Sequence, residues 1–438
     1  MSTMVVSADG LHVDGDHVRL LPASLNELLV GALALGISEL WLHGSVLERF
    51  RIRRGLRPMA EALGAESGWQ FPDPQRVISW CRVWKSRGGG VNVHCPDLDR
   101  SSPFAGLATG GALARAAEAW DEAMPIAWRG SGAVTSDSLL RHTRKRIKEV
   151  LVPDLYRHEG RGRELAAGWW IDPTLICTTE NPAVWHLDVR AAYLTAAEAI
   201  SGPVDGPPEY IDDPALCRSM VGKNLPGWWV LPHFQWNYRS LPAMWAEAHY
   251  QSKIGGGPVV TTPTAAYLLK ECGVSPDGGF CWDRHGRPLE RWAHEIRNAL
   301  DPGHPAARAA VKRTYQEGIG RLASDRRTRI SDPLYQPYLQ NAVVAEARTR
   351  IHRTASRIVA AGGTILAIDT DSIWLQSGPL WNTPPTDGDA HPLIPMGTTP
   401  GKMRLVGTVA LDDIIQIIQI NQSVIDNIRN LDRRSANG

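Results

Sequence analysis

Asp369 and Asp371 stand two apart in ILAIDTDSIWL, residues 365–375, with an apolar run on either side. In an extended segment both carboxylates leave one face and Thr370 leaves the other. Two carboxylates at one edge repel, each raising the other's pKa, unless a cation lies between them. Hard oxygen donors in that arrangement suit Mg²⁺ or Mn²⁺, held by a few carboxylates together with substrate phosphates. Asp188 closes another apolar run, VWHL, and is the candidate third carboxylate. Two ions about 4 Å apart stabilise both the attacking and the leaving oxygen of an in-line displacement, so the chemistry indicated is phosphoryl transfer. The plainer reading of Asp-Thr-Asp is a turn.

A polyphosphate would also need cations. Arg308 and Lys312 are four residues apart on a predicted basic helix, so they share a face and could grip a triphosphate from one side. Gly318 and Gly320 follow, where bare backbone could approach a ligand or a base pair. Cations on a helix face are more often merely solvated.

Several elements must position these groups. AVWHLDVRAAYLTAAEAI, 183–200, reads as a strand ending at Asp188 followed by an alanine-rich helix. Residues 338–363 read as a long helix with a glycine stop, and 365–375 as a hairpin after it. VVTTPTAAYLLKECGV, 259–274, reads as a strand and then a helix opened by Thr-Pro. Between 200 and 262 the chain reads as irregular, rich in Pro, Gly and Trp, and the tail from 409 reads as helical. Upstream, 24–50 reads as a helix and a short strand ELWLHG, and 110–124 as a further helix, an α/β beginning.

The 438 residues are enough for two or three domains, and 43% hydrophobic with 21% charged residues is a globular composition. No apolar run reaches 18 residues, and the first residues lack the basic start and apolar core of a signal peptide. A cytoplasmic monomer with no membrane partner is expected. Six scattered cysteines without a CxxC pair read as reduced core thiols. The net charge of +1 decides nothing about nucleic acid, but its distribution is uneven. Residues 141–164 concentrate Arg141, Arg144, Lys145, Arg146, Lys148, Arg157, Arg161 and Arg163. Such a run is either a solvated helix face or a surface that tracks phosphates.

Three motifs in order resemble those of family B DNA polymerases, closest to the protein-primed type of phages and linear plasmids. DVRAAY, 188–193, resembles the first palm motif Asp-x-x-Ser-Leu-Tyr, with Ala191 and Ala192 in place of Ser and Leu. KRTYQEGIGRLAS, 312–324, resembles the fingers motif, with Gln316 where that family has Asn and Ile319 where it has Tyr. DTDS, 369–372, matches the second palm motif. The intervals are 124 residues from Asp188 to Lys312 and 57 from Lys312 to Asp369.

The resemblance implies that Asp188 and Asp371 ligate two Mg²⁺ or Mn²⁺ ions, with Asp369 beside them as ligand or support and Val189 offering its backbone carbonyl. It implies that Lys312, with Arg308 and Gly320 nearby, meets the incoming dNTP. Tyr193 would lie under the sugar, where a 2′-hydroxyl would collide with the ring; otherwise it is a core tyrosine. Arg144, Lys145 and Arg146 would contact primer-template DNA, as would Lys402 and Arg404 in GKMRL, which lacks the tyrosine of a primer-contact motif. A terminal protein is one candidate primer.

The implied fold is α/β (α+β), a palm with an antiparallel sheet and helical fingers. The implied boundaries are a degenerate RNase-H-like domain over 1–140, a basic linker over 141–180, palm with an insertion over 181–300, fingers over 301–337, palm over 338–400, and a reduced thumb or C-terminal helix over 401–438. No Asp-x-Glu occurs before residue 140, so a domain without proofreading is expected. The implied activity is template-directed DNA synthesis. Two other readings are a non-catalytic nucleic-acid-binding relative and a nucleotidyltransferase of primase or terminal-transferase type.

Overall fold

In this computed structural model the described residues are 2–13, 16–18, 21–50, 52, 63, 68–70, 79–85, 88–144, 170–171, 183–232, 259–324, 334–369, 371–377, 384–386 and 393–410. Lys145, Arg146 and the rest of the basic run after Arg144 lie outside them, as does the tail from 411.

The first 147 residues supply β1 (Thr3–Ser7), β2 (Gly10–Val13), β3 (Asp16–Val18), α1 (Leu25–Ala34), β4 (Glu39–Leu42), α2 (Gly44–Leu47), β5 (Trp69–Gln70), β6 (Trp80–Lys85), β7 (Gly90–His94), α3 (Gly110–Ala123) and α4 (Gly132–Thr143). Then come β8 (Trp170–Ile171), β9 (Ala183–Val189), α5 (Ala192–Ala199), β10 (Gly202–Pro203), β11 (Glu209–Ile211), α6 (Pro214–Gly222), β12 (Gly227–Val230), β13 (Val259–Thr261), α7 (Thr262–Cys272), β14 (Gly278–Cys281) and β15 (His285–Gly286). The remainder holds α8 (Glu290–Asn298), α9 (Pro305–Arg321), α10 (Pro337–Ala360), β16 (Thr364–Asp369), β17 (Ser372–Gln376) and β18 (Met403–Ala410). The result is a mixed α/β fold with several sheets.

The chain divides into two compact units, one of residues 1–147 with 289–322, the other of 148–288 with 323–438. The helix carrying Lys312 therefore belongs with the N-terminal residues, whereas the sequence boundaries assigned it to a separate fingers segment.

In the first unit one seven-stranded sheet has the order β3-β2-β1-β4-β7-β6-β5. Its centre, β1-β4-β7, is parallel and its flanks are antiparallel. Leu25, Leu28 and Leu29 of α1 repeat at helical spacing and close over Val6, Leu40 and Val93 of the sheet. Three aspartates of this unit serve local structure. Asp97 accepts the N–H groups of Gly44 and Gly106, both at 2.7 Å, Asp99 accepts from Ser101, and Asp121 accepts from Thr3. Helices α4 and α9 meet through glycine: a Cβ on Gly132 would stand 2.5 Å from the Arg313 carbonyl oxygen, and one on Gly318 would stand 2.0 Å from Ser136 Oγ.

In the second unit a five-stranded antiparallel sheet has the order β18-β9-β17-β16-β8. Trp185 and Leu187 of β9, Ile373 and Leu375 of β17, and Met403 of β18 form one core with Ile351, Ala355 and Ile358 of α10. Alternation then sends His186 and Asp188 to the face opposite α10. α10 begins with Pro337, and Gly362 after its end takes the left-handed conformation, φ 83°, that glycine tolerates.

Two expectations are corrected here. Residues 200–232 are not irregular: Asp213 caps α6, Pro214 opens it, and β12 joins a four-stranded sheet of order β11-β14-β12-β13. The signal was the Asp-Pro pair, a capping residue followed by a first-turn proline. Residues 403–410 are not helical but form β18, because their alternating Met403, Leu405 and Val409 pair along β9. Among the described cysteines none is disulfide-bonded, and burial pushes the Cys81 and Cys281 thiols up to about 12. No helix among the described residues is long and apolar enough to cross a membrane.

His352 of α10 is fully buried with neither ring nitrogen hydrogen-bonded, its ring edge-on to Tyr267. Burial, and then the Arg348 charge, push its pKa from 6.5 down to about 3. The native state therefore holds it neutral, while the unfolded chain takes a proton below about 6.5. Stability is full above that value and falls on acidification until about pH 3, by up to about 1.4 kcal/mol per pH unit from this group. Denaturant titrations of His352→Leu against the parent should show a shallower loss across that window.

Candidate active site

Asp188 is the sixth residue of β9, and its cross-strand partner on β17 is Ser372. Ser372 is also the partner of Asp369 across the hairpin to β16. Asp188 and Asp369 thus flank the same residue from either side, two strand spacings, or roughly 10 Å, apart at the backbone. Asp371 closes the hairpin turn, and its carbonyl accepts the Val189 N–H at 3.0 Å. The three aspartates predicted to act together share one end of one sheet. The Asp369 side chain and Thr370 lie outside the described residues.

Asp188 is half-buried, and Arg404 of β18 sits directly across from it. Arg404 Nε and Nη2 donate to Asp188 Oδ2 at 3.0 and 2.9 Å, and Ser372 Oγ donates to Oδ1 at 3.4 Å. Arg404, read from sequence as a DNA contact, is thus the charge partner of Asp188, while Lys402 is exposed. On the same face His186 stacks on Trp374 with ring centroids 4.0 Å apart and planes 3° apart. Sequence reasoning missed this pair, although an aromatic two residues after Ser372 and an imidazole two before Asp188 share a face by alternation.

After β9 the chain turns sharply. Arg190 donates its N–H to the Lys402 carbonyl at 2.9 Å and its Nε to the Gly397 carbonyl at 3.0 Å, and its own carbonyl accepts from Gly401 at 2.7 Å. Ala191 follows in the left-handed region, φ 48° and ψ 47°, where an alanine is strained. α5 then starts, with Tyr193 half-buried in its first turn. Three ties to the 397–402 loop hold that strained turn, and with it the end of β9.

In the first unit, Lys312 and Arg308 are exposed on α9. Arg308 pairs with Asp301, and Lys312 has no hydrogen-bond or ion-pair partner among the described residues. Gly320 is exposed with open space where a Cβ would go, whereas Gly318 packs against α4 rather than leaving backbone bare for a ligand. Arg144 caps α4, and burial pulls its guanidinium below the ordinary arginine range.

Superposed on phi29 DNA polymerase complexed with primer-template DNA and incoming nucleotide substrates, the chain gives a TM-score of 0.50 at 13% identity, over 93% of this chain and 83% of that one. The chain has a DNA polymerase-like fold. The same polymerase in its post-translocation binary complex with primer-template DNA, and with single-stranded DNA, gives 0.47 at the same identity and coverage. No protein-family model and no curated protein matches the sequence. Asp188 and the backbone of Asp371 lie at adjoining strand ends, and carboxylate oxygens are donors of the kind that a hard divalent cation takes.

Proposed function

We propose that the chain is a template-directed DNA polymerase of the family B type, joining a deoxynucleotide from a dNTP to a primer hydroxyl. The observation that carries this reading is the register of β9, β17 and β16, which sets Asp188 and Asp369 on either side of Ser372 in a polymerase-like fold. Two Mg²⁺ or Mn²⁺ ions, when bound, would supply stabilisation of the attacking and leaving oxygens. Asp188 and Asp371 would hold them, with Asp369 in support and Val189 adding its carbonyl. Lys312 and Arg308 would orient the triphosphate, with Gly320 leaving backbone open to it, and Tyr193 would exclude a ribose 2′-hydroxyl. Arg144, Lys145, Arg146 and Lys402 would track phosphates of the primer-template. The β3-β2-β1-β4 order supports reading the first unit's sheet as RNase-H-like, and the local structural roles of Asp97, Asp99 and Asp121 support a domain without proofreading.

The test is extension of a labelled primer on a DNA template with Mg²⁺ or Mn²⁺. Templated addition is expected, and feeding single nucleotides with and without template separates it from terminal-transferase or primase activity. Failure to incorporate any nucleotide with either metal would reject the reading.

One observation favours a second reading. Arg404 already neutralises Asp188, as it would in a non-catalytic nucleic-acid-binding relative. Arg404→Gln separates the two. In a polymerase, losing the competing cation should lower the Mn²⁺ concentration for half-maximal extension by roughly fivefold, on the order of 1 kcal/mol for a partly exposed pair. In a binding relative the same change should weaken duplex binding and leave the chain without incorporation.

A further inference from the structure

We propose that Asp9, His12 and His17 form a binding site for one divalent transition-metal ion of the zinc class, separate from the carboxylates of the palm-like sheet. It lies within the first unit and does not rest on the polymerase reading. The three residues come together through the β1-β2-β3 meander. Asp9 occupies the turn between β1 and β2, and His12 and His17 are direct cross-strand partners on β2 and β3. Their rings stack with centroids 4.5 Å apart and planes 19° apart. One ligand atom from each residue lies within 4.8 Å of the other two, and among the described residues no other group of three possible metal ligands does so.

The polar contacts leave ligand atoms of all three residues near one another. Ser7 Oγ donates to Asp9 Oδ1, which leaves Oδ2 toward His12. His12 Nε2 is shielded from solvent and has no hydrogen-bond partner, its nearest carboxylate oxygen being Asp9 Oδ2 at 3.8 Å. His17 Nε2 donates to the Asp9 carbonyl oxygen at 3.0 Å, a bond that ligation through Nδ1 would keep. A buried ring nitrogen without a partner is unfavourable, and a stacked imidazole pair protonated together would repel. One cation between the three atoms resolves both.

Donor chemistry selects the ion. Two imidazole nitrogens and one carboxylate oxygen suit Zn²⁺ or its neighbours rather than Mg²⁺, which prefers an all-oxygen shell. Tetrahedral ligation at about 2.0–2.1 Å needs donor atoms roughly 3.3 Å apart, within reach of side-chain rotation from the present spacing. Three protein ligands leave the fourth position for water or an anionic oxygen. Ser7 would act as a positioning residue, holding the Asp9 carboxylate in its ligating orientation.

The full-length chain can be titrated with Zn²⁺ against a chromophoric chelator in excess Mg²⁺, and with Co²⁺ to read the visible absorption of a tetrahedral site. One tight equivalent and that absorption are expected in the parent. His17→Ala removes an exposed ligand with little consequence for folding, and should weaken Zn²⁺ binding at least tenfold and abolish the Co²⁺ band. Asp9→Asn should weaken binding too, and Zn²⁺ should raise the Tm of the parent but not of His17→Ala. Equal Zn²⁺ affinity and an unchanged Co²⁺ spectrum in parent and His17→Ala would overturn the proposal, as would the absence of any tight equivalent in the parent.

Discussion

Asp188→Asn and Asp371→Asn are each expected to reduce nucleotide incorporation by on the order of 10³-fold or more, about 4 kcal/mol of transition-state stabilisation, with the fold retained. Both changes keep shape and remove a charge. Asp188 faces away from the α10 core, so its substitution disturbs the ion pair with Arg404 and the contact with Ser372 but no apolar packing. Asp371 meets β9 through its backbone carbonyl, which asparagine preserves. Single-turnover incorporation, duplex binding and thermal unfolding measured together decide the matter. Lost incorporation with duplex binding and Tm unchanged marks the carboxylates as the reacting centre. Unaltered incorporation in either variant would remove that carboxylate from the site.

The second large effect is on stability. Gly132→Ala should destabilise the first unit by about 3 kcal/mol, at the upper end of ordinary overpacking. The added Cβ would lie 2.5 Å from the Arg313 carbonyl oxygen, 2.6 Å from its carbon and 2.9 Å from the Thr314 nitrogen. Those are backbone atoms inside α9, and no rotamer change relieves them. The helix must move, and Arg313 and Thr314 are the residues immediately after Lys312, so on the proposed role of Lys312 nucleotide KM should rise as well. Gly31→Ala is the internal control: it is in α1 of the same unit with nothing within 4 Å, and should stabilise by about 0.5–1 kcal/mol. Denaturant midpoints for the two variants should move in opposite directions.

What the sequence disclosed follows from the range over which each feature is encoded. The hairpin at 364–376 and the strand ending near Asp188 were legible because alternation, and the glycine ending the helix before the hairpin, act within a few residues. The partnership of Asp188 with Arg404 was not, since 216 residues separate them and only the pairing of β18 with β9 brings them together. The same pairing makes 403–410 an edge strand of the five-stranded sheet rather than a helix. Gly318 was legible as a close approach but not as to what approaches it, which is Ser136 of α4. Asp9, His12 and His17 passed unnoticed because neither Asp-x-x-His nor the five-residue spacing of the histidines is a signature until β2 and β3 pair.

The division of the chain has a consequence for how the protein is made. Residues 289–322 complete the first unit, yet the whole of 148–288 is synthesised between them and residue 147. On the ribosome, α4 therefore emerges long before α9, with the glycine surface at Gly132 waiting for a helix that is more than 150 residues behind it. An N-terminal fragment ending near 147 would stay unfinished in the same way. Co-translational folding of the first unit must wait for Leu322, and a rearranged gene that places 289–322 beside α4 should fold that unit earlier and release fewer aggregation-prone nascent chains.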